Sequence, residues 1–402
     1  MTAVATGRGV DGRGDGQGGN MEKRGLLFLA WGAIPGRSAE IAESLGGSSI
    51  CMYPPSSERR PPVWVRYLVC TLRTVAVLVR RQPAVVVVTN PPAIPGLIAL
   101  AWARLRGTVV ALDSHPGAFG AQDNRVGQLL LPVHRWLSRH VAVSLVAAPA
   151  WQAMVESWGG RAVVVHEAPA GQTIRRAVRH HPIRVLYVGT FVPDEPFEIV
   201  VDAAARMPEC EVLVTGDPER CPPELRAAAP PNVRFIGFLD HDAYRQQLTD
   251  ADVVITLTTE PASVMRAAYE ATYAERLLIL SDWPIARELF PYAVHTPNTG
   301  PGLAAALAEA LEDFDALRAR SGEARRAQER RWETQRHELA AALGWDLRAI
   351  AAPGAGRPSR PAARPRLGRV GTHRRAAHRR PSHETSAPGT VQEAPAAGVG
   401  KG

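Results

Sequence analysis

Two carboxylates and a row of small residues carry most of the chemistry this sequence can offer. Glu260 and Glu270 lie in the stretch LTTEPASVMRAAYEATYAERLLILSD, on either side of a helix-like segment. An ionised carboxylate only accepts hydrogen bonds, so the two read either as a site for a ligand's donor groups or as part of a solvated helix face. Arg266 precedes Glu270 by four residues, and the two also read as an i,i+4 ion pair on a solvated helix face. Short apolar runs end in Gly189-Thr190, Thr215-Gly216, Gly237-Phe238, Thr259-Glu260 and Ser281-Asp282. Glycine and hydroxyl residues are ordinary turn formers. Several such junctions on one sheet edge would also gather backbone amides and helix N-termini, the groups that hold phosphate. Earlier in the chain, Gly36-Arg37 follows the first apolar run and Asp113-Ser114-His115 follows VVAL. Asp240-His241-Asp242 has the spacing of a cation-binding pair, but it stands before AYRQQL, where capping accounts for Asp240. No metal site is assigned.

These junctions need a scaffold that aligns strand ends. Runs such as LLFLAW (26–31), AVVVVT (84–89), TVVALD (108–113), IRVLYVG (183–189) and DVVITLT alternate with helical patterns. Continuous β-branched runs are the mark of strands buried on both faces. Strict strand–helix alternation implies βαβ units and doubly wound parallel sheets, with ligands beyond the carboxyl ends of the strands. Ser38 reads as an N-cap and Gly46 as a stop for the first helix, and helices over 301–320 and 323–345 close the pattern. The alternation pauses at 168–182, APAGQTIRRAVRHHP, and restarts, which divides the chain into two α/β halves.

A chain of 402 residues has room for two cores. The net charge of +8 sits in the tail: residues 351–402 hold ten Lys/Arg and two Glu, and residues 1–350 hold 37 of each sign. A neutral body argues against a nucleic-acid partner, which would need a basic folded face. Only Lys23 and Lys401 are lysines, so Schiff-base and P-loop chemistry lack their residue. No GxGxxG follows the first strand, which sets aside a dinucleotide-dependent dehydrogenase. Cys51, Cys70, Cys210 and Cys221 form no CxxC pair and suit a reducing cytosol. Residues 1–20 are Gly-rich without an apolar core, so no secretory signal is expected, and Met21 reads as an alternative start.

The helix VWVRYLVCTLRTVAVLV (63–79) carries Arg66, Arg73 and Arg80 every seven residues. It reads either as an interfacial helix on an anionic membrane or as a buried helix with its arginines reaching outward. Its apolar stretches are too short to span a bilayer.

Together, GTFVPDEP, VLVTGDP, NVRFIGFLDHDAY, ADVVITLTTEPASVMRAAYEA and LLILSDW resemble the donor domain of family-4-like GT-B glycosyltransferases (glycosyl transferases group 1). The resemblance covers about 25–345, with the first half matching in element order. It implies two Rossmann-like domains facing a cleft. The divisions would be an extension at 1–22, an acceptor-side domain at 23–167, a linker at 168–182 and a nucleotide-sugar-binding domain at 183–325. A helix at 326–348 would pack back on the first domain, ahead of a disordered tail at 349–402.

The implied reaction is transfer of a sugar from a nucleotide diphospho-sugar co-substrate, with retention and without a bound metal or other cofactor. The apolar, arginine-bearing helix at 63–79 falls in the acceptor-side domain and points to a sugar or lipid-linked acceptor, in cell-surface polysaccharide or glycolipid synthesis. The protein would be cytoplasmic or peripheral on the cytoplasmic face of the plasma membrane. Glu270 would take the ribose hydroxyls, Gly237 and Phe238 the base, and Gly189 and Thr190 the phosphates. Thr215, Gly216, Thr259, Met265 and Arg266 complete the donor-binding set. His115, Arg37 and Glu260 are the expected catalytic residues. The chain departs from the family pattern twice. Nine residues separate Glu260 from Glu270, with Ala262 where a closer carboxylate would stand, and the first donor loop reads PDEP in place of a basic pair. A nucleotide-sugar epimerase of the same fold and a non-catalytic sugar-nucleotide-binding subunit are the alternative readings.

Overall fold

The computed structural model describes residues 25–32, 36–53, 62–120, 125–169 and 179–347. The expected extension at 1–22, the alternative start at Met21, the tail at 349–402 and most of the 168–182 linker lie outside the described residues.

The first half is a six-stranded, all-parallel sheet in the order β2-β1-β3-β4-β5-β6. Its strands are β1 (Leu26–Ala30), β2 (Ser48–Cys51), β3 (Val85–Asn90), β4 (Val109–Ser114), β5 (Val143–Val146) and β6 (Ala162–Val164). Between them run α1 (Gly36–Ser44), α2 (Val63–Arg81), α3 (Ile94–Arg106), α4 (Arg125–His140) and α5 (Pro149–Ser157). Val85 to Val88 are wholly buried, so this run faces apolar layers on both sides. One layer sets Phe28, Val85 and Leu145 against α1, and the other sets Leu29, Val86 and Leu112 against α2 and α3.

The second half repeats the architecture in the order β12-β11-β10-β7-β8-β9, also all parallel. The strands are β7 (Ile183–Tyr187), β8 (Cys210–Thr215), β9 (Val233–Gly237), β10 (Val253–Thr256), β11 (Leu277–Ser281) and β12 (Val294–Thr296). The helices are α6 (Phe197–Arg206), α7 (Pro223–Ala228), α8 (His241–Asp250), α9 (Arg266–Tyr273), α10 (Pro284–Leu289), α11 (Gly300–Glu312) and α12 (Phe314–Leu343). Strand order reverses between β7 and β10 here and between β1 and β3 in the first sheet, and ligand crevices open at such points. The expected two doubly wound α/β sheets are therefore present.

Two local expectations are corrected. The closing helices break at Asp313, not near residue 321. Phe314 is buried in the second core, while Ser321 and Gly322 continue the helix, Ser321 Oγ donating to the Arg318 carbonyl at 2.8 Å. Ser38 is not the cap of α1. That helix begins at Gly36, and Ser38 is buried in its first turn.

The 30-residue α12 is about 45 Å long at 1.5 Å per residue. It starts in the second core at Phe314 and ends in the first, where Trp332, Leu339 and Leu343 join Phe28 and Ile41. Gly344 stops it in a left-handed conformation (φ 62°), its N–H meeting the last carbonyls. The helix thereby fixes the two sheets against each other.

Candidate active site

At the carboxyl edge of the second sheet, three predicted residues, Gly189, Thr215 and Gly216, pack into one corner. Thr215 Oγ1 accepts the Gly189 N–H at 3.2 Å. A Cβ on Gly189 would lie 2.6 Å from the Tyr187 ring, and one on Gly216 (φ 96°) 2.6 Å from the Gly189 carbonyl. These positions demand glycine for close approach. Gly237 (φ 79°) opens onto free space, and the neighbouring Phe238 is 64% exposed.

The PDEP loop braces this edge. Glu195 accepts from the Thr190 amide at 2.5 Å and the Val192 amide at 3.4 Å, and also faces the Thr190 hydroxyl. Burial pushes its carboxyl up, opposed by these amides. The Asp194 carbonyl accepts the Thr259 N–H at 2.8 Å, and its carboxylate takes the Thr258 hydroxyl at 3.4 Å. The acids that replace a basic pair thus tie the loop after β7 to the loop after β10, and a carboxylate already fills the amides of Thr190 and Val192. Thr259 is exposed and Glu260 half-buried. Asp240 accepts from the Ala243 amide at 2.9 Å and caps α8.

The expected i,i+4 pair is formed: Arg266 Nε donates to Glu270 Oε1 at 2.7 Å. It is not on a wet face. Glu270 is 13% exposed, and Tyr244 donates its hydroxyl to Oε2 at 2.6 Å. Arg266 also reaches into the first domain, meeting Glu40 Oε1 at 2.6 Å and Glu167 Oε2 at 3.7 Å. Glu40 belongs to α1, and Glu167 follows β6. One guanidinium thus faces three carboxylates from three segments. Burial and the neighbouring Glu167 and Glu270 raise the Glu40 carboxyl to about 7, against the pull of Arg266. Met265 stands half-buried at the start of α9 without a side-chain cap.

Arg37, expected among the catalytic residues, is largely buried, with its side chain 11% exposed. Its guanidinium is engaged on every nitrogen: Nε to Asp113 at 3.2 Å, Nη1 to Glu167 at 2.8 Å and the His166 carbonyl at 3.0 Å, and Nη2 to the Val165 carbonyl at 2.7 Å. Burial works against this charge, but Asp113 and Glu167 outweigh it and hold its pKa above the ordinary value. Arg37 frames the first domain, with four of its five N–H groups donated within it. Burial alone would raise the Asp113 carboxyl, but Arg37 and His115 bring it well below the carboxylate range. His115 Nε2 lies 3.3 Å from Asp113 Oδ2, with half its side chain exposed. Burial lowers its pKa and Asp113 raises it, with a net rise.

The turn after His115 (Pro116–Phe119) is held by buried His134, which bonds the Ala118 carbonyl through Nδ1 and the Ser114 hydroxyl through Nε2. Burial depresses His134 to about 4, so both contacts are made by neutral imidazole. His166 is likewise buried, depressed to about 3, and bonded to Gln335 of α12.

Two sheet edges therefore meet across Arg266. One bears His115, Asp113 and Arg37, and the other bears Glu270, Tyr244 and the glycine-lined corner. Residues 182–314 match the family model for glycosyl transferases group 1. The chain carries a group 1 glycosyltransferase domain. No curated protein matches by sequence. Among solved structures, Anabaena HepE in complex with UDP and glucose is similar at TM-score 0.61 and 14% identity, over 80% of this chain and 99% of that one. Sucrose-phosphate synthase from Thermosynechococcus elongatus is similar at TM-score 0.61 and 15% identity, over 79% and 98%. These likenesses establish the two-domain GT-B fold.

Within this glycosyltransferase domain and its partner half, sequence reading missed Glu40, Glu167, Tyr244, Asp194 and Glu195. Only the PDEP departure pointed towards any of them. A cavity of about 60 Å³ lies elsewhere, between α12 and β11, lined by Leu278, Phe290 and Tyr292 among others and by no carboxylate.

Proposed function

We propose that this chain transfers a glycosyl group from a nucleotide diphospho-sugar to a hydroxyl of a lipid-linked or polysaccharide acceptor, with retention and without a resident metal. The observation that carries the reading is Glu270. It is a carboxylate fixed by Tyr244 and Arg266 at the interdomain cleft, in a domain of the group 1 family. In this reading Glu270 accepts the ribose hydroxyls and exposed Phe238 takes the face of the base. Arg266 and the amides opening α9 take the diphosphate. Glu260 meets the sugar. HepE was solved with UDP-glucose as well as UDP, which makes UDP-sugars the first donors to try.

The C1–O bond to diphosphate breaks with its electron pair on the leaving oxygen, and the acceptor oxygen bonds C1. The acceptor proton passes to the departing diphosphate, so the protein supplies positioning and charge. His115, held by Asp113, faces the same cleft from the acceptor side. D-x-D metal chemistry finds no support, because Asp240 is spent on a helix cap. The reaction would take place in the cytoplasm, at the inner face of the membrane.

The test offers UDP-, GDP- and dTDP-sugars with and without a lipid extract, following nucleotide release and the anomeric configuration of the product by NMR. Acceptor-dependent release with an unchanged anomeric configuration is expected. An inverted product would remove the retaining mechanism. Donor alone yielding an epimer would replace the transferase reading.

A further inference from the structure

Helix α2 turns a row of large apolar side chains to solvent. Trp64 is 70% exposed, Leu68 53%, Leu72 62%, Val75 44% and Val79 52%. Steps of four, four, three and four residues set them on one stripe, about 22 Å long at helical rise. Cys70, Thr74 and Leu78 on the opposite side are buried, so the helix is fixed to its domain with this stripe outward. The adjacent α3 adds Leu97 and Leu105, the latter 78% exposed. Apolar surface of this extent on a soluble domain marks an interaction site.

Along α2, α3 and the strand between them the charges are all of one sign. No Asp or Glu occurs from Val63 to Leu112. Arg66 is drawn over the Tyr53 ring and Arg73 to the Met52 carbonyl, so the expected seven-residue arginine stripe is partly spent on anchoring α2. Arg80, Arg81, Arg104 and Arg106 remain exposed at the helix ends.

We infer that the α2–α3 face docks on an anionic lipid surface, Trp64 and the Leu68–Val79 stripe entering the headgroup–acyl boundary and the four arginines meeting lipid phosphates. An apolar face with a basic rim is what such a surface binds. A second copy is disfavoured, because it would set arginines against arginines with no acid between them. The chain's own tail, ten basic residues to two acidic, carries the same sign. The inference deepens the acceptor side of the proposed function and rests on it only for the acceptor's identity.

The full chain is sedimented with phosphatidylcholine vesicles with and without phosphatidylglycerol, and nucleotide binding is titrated on the same samples. Binding to the anionic vesicles, weakened by salt, is expected. The Leu68→Asp/Leu72→Asp variant should lose it by roughly tenfold or more while binding nucleotide as wild type does. Because the basic tail is present in both proteins, undiminished vesicle binding by the variant would assign the affinity to the tail and overturn the inference. Absence of vesicle binding by wild type would overturn it too, as would a wild-type dimer that the variant dissolves. Loss of nucleotide binding with vesicle binding intact would sink the donor reading and leave this one standing.

Discussion

Glu40 forms one of the shortest ion pairs between the two domains, yet replacing it with glutamine should stabilise the protein above neutral pH. Arg266 is shared among Glu40, Glu167 and Glu270, so the third carboxylate costs more in burial and repulsion than its share of one guanidinium returns. The Glu40 carboxyl rises from 4.5 to about 7. A group whose folded pKa is raised contributes fully below its unfolded pKa, and that contribution is lost as pH rises through the folded value. The window is therefore pH 4.5 to 7. At 1.36 kcal/mol per unit, the loss by pH 8 is about 3 kcal/mol.

Glu40→Gln mimics the neutral form and escapes this loss. Urea denaturation of both proteins from pH 4.5 to 8.5 should show equal midpoints at the acid end. The variant should gain steadily to about 3 kcal/mol at the alkaline end, a shift of several degrees in Tm. The difference between the proteins isolates Glu40, since His115 and the buried histidines titrate in both. A variant that is less stable at pH 8 would show that the pair with Arg266 is net favourable and refute the reasoning.

Arg37→Met should cost about 3–5 kcal/mol, because it leaves Asp113 and Glu167 buried without their shared cation. Chemical denaturation checks this, and a loss of activity with unchanged stability would mean that Arg37 acts on the ligand after all. His134 is depressed from 6.5 to about 4. Its contribution is complete above 6.5 and is lost as pH falls towards 4, about 3 kcal/mol in all. His134→Gln should flatten that acid limb when urea midpoints at pH 7 and pH 4 are compared, whatever its effect at neutral pH.

The sheets were legible because their information is local. Val85 to Val88 and Val253 to Thr256 announce buried parallel strands, and glycine and threonine junctions announce where they end. Strand order and the break at Asp313 depend on packing between distant segments and left no local trace, and the return of the last helix to the first domain was expected only through the family resemblance. Half of the candidate site followed the same division. Gly189, Thr215 and Gly216 converge as their positions at strand ends required. Glu40 sits in an ordinary amphipathic helix and Glu167 in an ordinary strand exit, and only the tertiary fold brings them to Arg266. The arginine repeat on α2 was visible, but its use for anchoring was not, because its partners Tyr53 and Met52 lie beyond the helix.

The claim that the cleft edge of the second domain holds a nucleotide diphospho-sugar through Glu270 is tested most directly by calorimetric titration of UDP and UDP-sugars into wild type and Glu270→Ala. Saturable binding by wild type is expected, with a thermal shift reflecting about 2.7 kcal/mol at a hundredfold excess over Kd. Binding should be lost in the variant even where urea and far-UV measurements show it folded, its stability being lowered by about 1–3 kcal/mol because Tyr244 and Arg266 lose a buried acceptor. Equal nucleotide affinity in the two proteins would contradict the assignment.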